Sequence, residues 1–532
     1  MQARGGWGPD TPDGRAGTHG PAGAPDYHRA VTAPSTDSPA TGPEGILVSN
    51  APAPGTGTAA DTDAGRILRL AMRIGVLMLG SGSQTNDVEE SMAAAARAYG
   101  IGDVQAAVTF STITVSHDTR PGEPATTLLH LVKDRTADFA RLAGVTDVTR
   151  RIRRNELDLP GAEAELDRLE TARPTYGRLV SFAAPGLSAS GSTLMLGGNL
   201  LEAVTTLGIG LAIQPILLRI DASALPPFFR LAIGSGLSAI LVALLVGVGL
   251  PISEGLVLTG SLLRFLPGYA LVSGFRDLID GSMISGTARL VEAMLLAGGV
   301  AGGVAISLAV ASSFGVQLGI ITVGQTSWGL PVSVAASLLA VGAYAVRLGS
   351  PPRAVWQAAA VGALAWLPFR ALVNPFGPVD PGIATLLAAI LIGVLGRILA
   401  RRFGGIAALW VVPAILPFLP GLQLVQAMLA ETEQARVDGL VGAAGTAFII
   451  GTGVATGDVL VILARGFRDQ IAAPAVGAVV GGVDVFVIAP VGRVVDRVRQ
   501  GDAGQTGTRD LEVGQPATPS SRDRRRGDRR GD

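Results

Sequence analysis

The chain has 532 residues, of which 48% are hydrophobic and only 16% are charged, and its mean hydropathy is +0.44. Soluble domains carry about 25% charged residues, so this balance indicates an integral membrane protein. The formal net charge is +0, which gives no indication of a nucleic-acid partner. Cysteine is absent, which excludes disulfides, zinc–thiolate sites and thiol nucleophiles.

The first two sections of the chain are polar. Residues 1–65 are rich in Gly, Pro, Thr, Ala and Asp, which predicts a disordered tail without a signal peptide. In residues 66–178, RILRLAMRIGVLMLG has helical spacing, and DVEESMAAAARAYG predicts a second helix with Thr85 or Asn86 as N-cap. VQAAVTFSTITVS alternates like a strand, and TTLLHLV is a candidate partner. We therefore predict a small α+β cytoplasmic domain.

Ten apolar segments follow, each near the roughly 20 residues that a spanning helix needs. They form two groups of five: 179–198, 200–218, 231–250, 255–273 and 287–311, then 330–346, 354–373, 382–400, 405–425 and 442–464. These groups predict a polytopic α-helical membrane protein with modules at 179–311 and 330–465. The apolar stretch 471–491 carries Asp484, and we favour a re-entrant or surface segment over an eleventh span. The C-terminal segment, 466–532, is predicted to be mostly disordered.

Arginine placement predicts the orientation, because cytoplasmic loops are enriched in Lys and Arg. With the α+β domain placed in the cytoplasm, the arginines in outside loops are Arg370 and Arg436. Those in inside loops are Arg219, Arg230, Arg276, Arg289, Arg347, Arg353, Arg397, Arg401, Arg402, Arg465 and Arg468. This bias predicts a multi-pass protein of the cytoplasmic membrane with both termini in the cytoplasm.

The tetrapeptide FLPG occurs twice, at 265–268 and 418–421, with an offset of 153 residues (418 − 265). Each copy lies in the fourth predicted span of its module. Because five is an odd number, the second module has the opposite orientation, which predicts two inverted five-helix repeats. Substrate sites in such transporters lie near the midplane where helices are broken. Candidate substrate-binding residues are therefore Pro267, Gly268, Pro420 and Gly421, with a simple packing kink as the alternative.

Arg264 directly precedes the first copy, within an apolar segment. Ionisable groups inside a bilayer are costly and are therefore functional candidates. A guanidinium at this position is a candidate for binding a substrate carboxylate with two parallel hydrogen bonds. The alternative is a structural ion pair with Glu254 or Glu292.

Four further ionisable residues lie in or near the predicted spans. Glu292 and Asp458 are candidates for carrying a coupling proton, because a buried carboxyl can exchange protons near neutral pH. Their alternative role is as interfacial residues in the headgroup zone. Arg276 and Asp277 are candidates for a gating ion pair, with a solvated loop end as the alternative.

The chain carries no strong catalytic motif, which predicts that it is not an enzyme. GSGS at residues 80–83 lacks the lysine of a phosphate-binding loop. His117 and His130 are isolated in the polar section, which indicates no metal site. We expect no cofactor.

Several motifs resemble those of the threonine/serine exporter family. RIGVLMLGSGSQTNDVEESMAAAARAYGI resembles the family's opening signature, and RLAGVTDVTRRIRRNELDLPGAEAELDRLETARPTYGRLVSF resembles its membrane-proximal segment. FLPGYALVSGFRDLIDGSMISGTARLVEAMLLA resembles its motif in the fourth and fifth spans. Residues 330–465 resemble the second module, which some relatives encode as a separate protein. The motif order is that of a fused two-module form.

The resemblance implies a ten-span secondary exporter that moves threonine and serine out of the cell by alternating access, coupled to proton entry. Related two-protein systems are associated with dicarboxylate export, so export of a dicarboxylate such as succinate is an alternative. A membrane-anchored hydrolase acting through the polar domain is an alternative from another class, and it leaves the repeat unexplained. The expected partners are the small amino acid, the proton and the lipid bilayer, with a homo-oligomer as an open alternative.

Overall fold

The computed structural model describes residues 46–48, 63–118, 125–133, 135, 137–316, 329–373, 379–430 and 432–472. Most of the predicted N-terminal tail lies outside these residues. The same holds for residues 473–532, which include nearly all of the predicted 471–491 segment.

An α/β region, residues 46–48 and 63–170, precedes the apolar helices. Its helices are α1 (Asp63–Gly80), α2 (Thr85–Ala98), α3 (Phe139–Arg153) and α4 (Leu159–Glu170). The strands are β1 (Ile46–Val48), β2 (Val104–Val108), β3 (Thr112–His117) and β4 (Thr126–Leu131), in the sheet order β1-β4-β3-β2. Helix α1 is central, because it packs against the other three helices and the sheet. Its Leu68, Met72 and Met78 are fully buried, which explains the apolar spacing of this segment.

The alternating stretch VQAAVTFSTITVS is a hairpin and not a single strand. β2 and β3 pair antiparallel, with Val104 opposite His117. The chain reverses where Thr109 N donates to Thr112 O (2.8 Å) and Thr109 Oγ1 accepts from Thr112 N (3.2 Å). The single-strand prediction was wrong because the alternation continues through the turn. The predicted partner TTLLHLV is confirmed, since β4 pairs antiparallel with β3.

Helix α2 begins at Thr85, with Gln84 in the N-cap position and without a side-chain capping bond. The predicted N-caps Thr85 and Asn86 were wrong. Their side chains instead bond to the segment after a membrane helix: Thr85 Oγ1 donates to Ser282 Oγ (3.1 Å), and Asn86 Nδ2 donates to Asp280 O (3.2 Å). The Thr85 and Asn86 side chains therefore form tertiary hydrogen bonds and do not cap their own helix.

The apolar helices follow in two groups. The first contains α5 (Arg178–Met195), α6 (Leu200–Asp221), α7 (Pro227–Gly247), α8 (Glu254–Leu262), α9 (Gly268–Ile279) and α10 (Met283–Ser313). The second contains α11 (Leu330–Arg347), α12 (Pro352–Val373), α13 (Pro381–Phe403), α14 (Ala408–Ala414), α15 (Gly421–Leu429) and α16 (Glu433–Ala472). Corresponding helices pack alike: α7 lies on α10 as α13 lies on α16, and α5 contacts α11 between the groups.

Seven helices in the described part of the chain are long and apolar enough to cross a membrane: α6, α7, α10, α11, α12, α13 and α16. The bent pairs α8–α9 and α14–α15 raise this number to nine if each pair is one span. Helix α5, predicted as a span at 179–198, falls outside this set. It is 18 residues long, contains Pro185 and buries several hydroxyl side chains. The chain is therefore a polytopic helical membrane protein, and ten spans stay a prediction.

Glu202 fixes the start of two helices in the first group. Its Oε2 accepts from Asn199 N (2.6 Å), its Oε1 accepts from Ser253 N (2.9 Å), and Asn199 Oδ1 accepts from Glu202 N (2.9 Å). The Glu202 side chain therefore satisfies a backbone donor ahead of α6 and another ahead of α8. Glu202 is only 2% exposed, so water does not replace these bonds easily.

We expect Glu202→Ala to lower the apparent melting temperature of the protein in detergent by several degrees. Each buried N–H left without a partner costs about 1–3 kcal/mol. The matched control is Thr205→Ala, because the Thr205 hydroxyl bonds only Leu201 O within the same helix (2.7 Å). Equal melting temperatures for the two variants would contradict the role assigned to Glu202.

Candidate functional site

Both FLPG copies break their helix in the same way. A single 3₁₀ turn precedes each break, at Leu263–Phe265 and at Leu416–Phe418. The next leucine is extended in both copies, with φ/ψ of −72°/131° at Leu266 and −61°/129° at Leu419. The helix then restarts after the proline, bent by 51° in the first copy and 42° in the second. The predicted helix breaks are therefore confirmed.

The two FLPG copies contact each other reciprocally. A Cβ added to Gly268 would lie 2.8 Å from Leu419 Cβ and 3.3 Å from Gly421 N. A Cβ added to Gly421 would lie 2.6 Å from Leu266 Cβ and 3.3 Å from Gly268 N. The equivalent positions, 153 residues apart, exchange the same contacts, as the two sides of a two-fold interface do. Only glycine fits this approach, so α9 and α15 begin side by side.

Arg264 lies beside the first break and bonds to helix α6. Its Nη2 donates to Gln214 Oε1 (2.6 Å), and its Nη1 is 3.5 Å from Gly210 O. The polar partner is thus Gln214, and neither of the predicted alternatives, Glu254 or Glu292, takes that place. The position 153 residues after Arg264 is Pro417, so the second copy lacks the corresponding charge.

Glu292 lies against the α/β region. Its Oε1 is 3.2 Å from Arg135 Nη2, and the side chain is 37% exposed. The Arg135 guanidinium also stacks on the Phe110 ring, 3.4 Å from the centroid. This position is closer to the interfacial alternative than to a proton carrier enclosed by apolar helices.

Arg276 and Asp277 do not pair with each other, although they are adjacent in the sequence. Arg276 Nη2 is 2.5 Å from Asp458 Oδ2, and Asp277 Oδ2 is 2.8 Å from Arg289 Nε. The first contact, here called the inter-module ion pair, joins α9 in the first group to α16 in the second. Asp277 is 1% exposed, so the solvated loop end considered for it is wrong.

A cavity of about 330 Å³ lies beside the inter-module ion pair, between the α/β region and helices α9, α13 and α16. We call it the arginine-lined cavity. Its charged lining residues are Asp87, Glu90, Asp458, Arg150, Arg153, Arg276, Arg397 and Arg401. The sequence places Asp87 at the start of the predicted second helix, and Arg397 and Arg401 serve there only to predict the orientation in the membrane. The i, i+4 spacing of these arginines, which places both on one helix face, was the signal that could have identified them.

The α/β region contacts both groups of apolar helices around this cavity. Tyr269 Oη donates to Gly82 O (3.2 Å), which ties α9 to the glycine-rich loop. On the other side, Arg150 Nη1 donates to Gly404 O (2.8 Å) at the end of α13. Phe139 N also donates to Leu348 O (2.9 Å) after α11. A relative movement of the two groups would therefore strain these contacts.

Asp87 has an unusual protonation equilibrium for a helix-surface carboxyl. Burial raises the pKa of Asp87 to about 6; nearby Glu90 and Asp458 also raise it, while Arg276 and Arg397 lower it. The folded protein therefore binds a proton at Asp87 between about pH 4 and pH 6, where the unfolded chain releases it. The charged carboxylate is disfavoured in the fold, so its contribution to stability becomes less favourable as the pH rises through this window.

We expect the melting temperature of wild type minus that of Asp87→Asn to fall as the pH is raised from about 4 to about 7, and then to level off. Thermal unfolding in detergent across this range measures the difference, and other titrations cancel between the two proteins. Asp103→Asn is the control, because Asp103 is exposed. A wild-type-minus-Asp87→Asn difference that stays flat with pH would contradict the burial assigned to Asp87.

Two family models match the chain. "Putative threonine/serine exporter" matches residues 69–311, and "Threonine/Serine exporter, ThrE" matches residues 333–464. The chain is 30% identical over 410 residues to the "Probable threonine/serine exporter" of Mycobacterium tuberculosis, covering 74% of this chain and 76% of that protein. It is 26% identical over 408 residues to the "Threonine/serine exporter" of Corynebacterium glutamicum, covering 74% and 82%.

A more distant relative is the "Pheromone-regulated membrane protein 10" of Kluyveromyces lactis. It is 23% identical over 333 residues, covering 56% of this chain and 31% of that protein. No solved structure matches the chain.

Proposed function

The chain belongs to the threonine/serine exporter family, and we propose that it exports threonine and serine as a proton-coupled secondary transporter working by alternating access. The reciprocal contact between the FLPG copies carries this proposal. Two modules that meet through equivalent residues can exchange roles, so that each in turn opens its side. We place the α/β region in the cytoplasm and count α5 as the first of ten spans.

We place the substrate near the crossing of the two FLPG copies. Helices α9 and α15 begin there, and the first N–H groups of a helix have no partner within it. Two positive helix ends close together favour a carboxylate. Pro267, Gly268, Pro420 and Gly421 form the backbone of this site, and Arg264 adds a cation on the side of the first module.

The inter-module ion pair acts as the gate on the cytoplasmic side. Arg276 lies eight residues after Gly268 along α9, or about 12 Å from the FLPG crossing at 1.5 Å per residue. Breaking the pair separates α9 from α16 and opens a route between the arginine-lined cavity and the crossing. Asp458 is free to accept a proton when Arg276 leaves it, which makes it the candidate carrier of the coupling proton. In the same proposal, the ion pair between Asp277 and Arg289 keeps α9 in place against α10.

Efflux of radiolabelled threonine from proteoliposomes tests the proposal. Export is expected to accelerate when a proton gradient is imposed that drives protons inward. An unchanged efflux rate relative to protein-free liposomes would contradict the function.

A dicarboxylate exporter is the second candidate, because five arginines outnumber three carboxylates around the arginine-lined cavity. Inhibition of threonine efflux by succinate would favour that candidate.

The inverted orientation of the modules has its own test, which uses the absence of cysteine. Pro251 precedes the first FLPG pair of helices, and Glu433 follows the second pair. Inverted modules place Pro251→Cys and Glu433→Cys on the same side of the membrane, and Arg402→Cys, ahead of the second pair, on the other side. Labelling of intact cells with an impermeant maleimide shows on which side of the membrane each cysteine lies. Labelling of Pro251→Cys and Glu433→Cys from opposite sides would contradict the inversion.

A further inference from the structure

The residues around the arginine-lined cavity include buried donor and acceptor atoms that no group in the described part of the chain satisfies. Arg397, Asp458 and Arg276 line the cavity, and Arg397 Nε, Asp458 Oδ1 and Arg276 Nε are buried without a hydrogen-bond partner among the described residues. A buried polar atom without a partner costs about 1–3 kcal/mol, so such atoms usually mark a place that another molecule occupies. A ligand that accepts a hydrogen bond at one end and donates one at the other would satisfy both Arg397 Nε and Asp458 Oδ1.

The remaining charges of the cavity fit the same description. Arg276 is engaged by Asp458 Oδ2, and Arg150 by Asp147 and Gly404 O. Arg153 and Arg397 then remain on the basic side, together with Arg401, whose Nη1 makes a long hydrogen bond to Val461 O (3.4 Å), while Asp87 and Glu90 remain on the acidic side. An inorganic anion would satisfy the arginines but leave Asp458 Oδ1 without a donor. A volume of about 330 Å³ lies within the range of small-molecule sites.

We propose that the arginine-lined cavity is a binding site for a zwitterionic α-amino acid, where the substrate waits before it enters the transport path. Arg397 and Arg401 bind the carboxylate, and Asp458 Oδ1 and Asp87 accept from the ammonium group. The inference rests on the proposed function, because it takes the substrate to be an amino acid. It also gives the α/β region a role, since Asp87 on α2 supplies one wall of a site that the membrane helices leave incomplete.

Both residues of the inter-module ion pair, Arg276 and Asp458, line the site. An ammonium group bound to Oδ1 competes with Arg276 for the same carboxylate, and a carboxylate near Arg397 attracts Arg276 away from it. A bound amino acid therefore weakens the ion pair from both ends. Filling the cavity and opening the route toward the FLPG crossing become coupled steps.

A single cysteine in the cavity wall tests the site on the full chain. Ser91 lines the cavity. Because the natural chain contains no cysteine, Ser91→Cys introduces a single thiol, and it lies in the cavity wall. L-threonine is expected to slow its reaction with N-ethylmaleimide about fivefold or more at saturation, which corresponds to occupancy above about 80%. Threonine amide, which lacks the carboxylate, and N-acetylthreonine, which lacks the ammonium, should not protect.

A second substitution in the Ser91→Cys protein tests which arginine binds the carboxylate of the amino acid. Arg397→Gln in the Ser91→Cys background should weaken protection by threonine about tenfold, equivalent to about 1.4 kcal/mol. Arg402→Gln should leave protection unchanged, because Arg402 is exposed and outside the lining. Threonine efflux is measured on the same Ser91→Cys preparation. Efflux without protection, or protection by succinate and threonine amide, would overturn the site alone, whereas absence of efflux would overturn the proposed function and this inference with it.

Discussion

Alanine at Gly268 or at Gly421 is expected to lower threonine export by about tenfold or more, and by similar factors for the two positions. Each added methyl would stand within 3 Å of a leucine Cβ on the opposite FLPG copy, at 2.8 Å and 2.6 Å respectively. Cβ atoms belong to the backbone frame and cannot rotate away, so α9 and α15 have to separate. Overpacking of this kind costs about 1–3 kcal/mol, and here it acts on the contact around which the modules are proposed to exchange roles.

The control for these variants is Gly298→Ala on α10, where an added Cβ meets nothing within 4 Å. That substitution removes a helix glycine and should leave export unchanged or slightly improve stability. Initial rates of radiolabelled threonine efflux, normalised to protein in the liposomes, measure all three variants. Strong inhibition by Gly268→Ala with normal export by Gly421→Ala would contradict the two-fold relation between the copies.

The helix breaks at the FLPG copies were predictable because proline and glycine impose them locally. The 153-residue offset also identified Leu266 with Leu419, and Gly268 with Gly421. The contact between these pairs was not predictable, because nothing in a local pattern states which distant segment will cover an exposed turn. The sequence therefore located the breaks and the structure related them to each other.

The polar partners were harder to predict, because they come from elements far apart in the chain. Arg264 finds Gln214, a neutral residue that a search for opposite charges passes over. Asp277 takes Arg289, while its neighbour Arg276 crosses to Asp458. Adjacent side chains on a helix point about 100° apart, so adjacency in the sequence argues against a mutual pair. Asp87 became a site residue only because the fold brings the start of α2 to the cavity that Arg276 and Asp458 also line.

The two modules differ where the first one docks the α/β region. The offset relates Asp277 to Ala430 and Arg289 to Gly442. In place of an ion pair, Ala430 and Gly442 line a second cavity of about 330 Å³ between α15 and α16. Likewise, the inter-module pair Arg276 and Asp458 corresponds to Leu429 and Ala305. Under the proposed mechanism, a charged gate on one side and an apolar counterpart on the other would make the transport cycle sensitive to protons and salt on one side of the membrane.

Asp458→Asn is expected to abolish acceleration of export by an inward proton gradient while retaining threonine–threonine exchange at a lowered rate, because the amide oxygen of asparagine can still accept from the substrate ammonium. In exchange the transporter carries threonine in both directions, so no net proton movement is needed. Exchange therefore continues when the proton site is lost. Net export requires the unloaded return, in which Asp458 is proposed to release its proton and recapture Arg276. Asparagine keeps the size of the side chain and one hydrogen bond to Arg276, so the helices stay packed.

Arg276→Ala provides the converse measurement. It leaves Asp458 without its cation, and removing one partner of a buried pair typically costs about 3–5 kcal/mol. We expect both exchange and net export to fall by about tenfold or more, with partial recovery in Arg276→Ala combined with Asp458→Asn, since the double variant buries no unpaired charge. Glu292→Gln is the control, because its partner Arg135 lies in the α/β region and its side chain is 37% exposed, so its coupling should match wild type. Loss of proton-driven export in Glu292→Gln, with normal coupling in Asp458→Asn, would transfer the proton site from α16 to α10 and reverse the assignment of the two carboxylates.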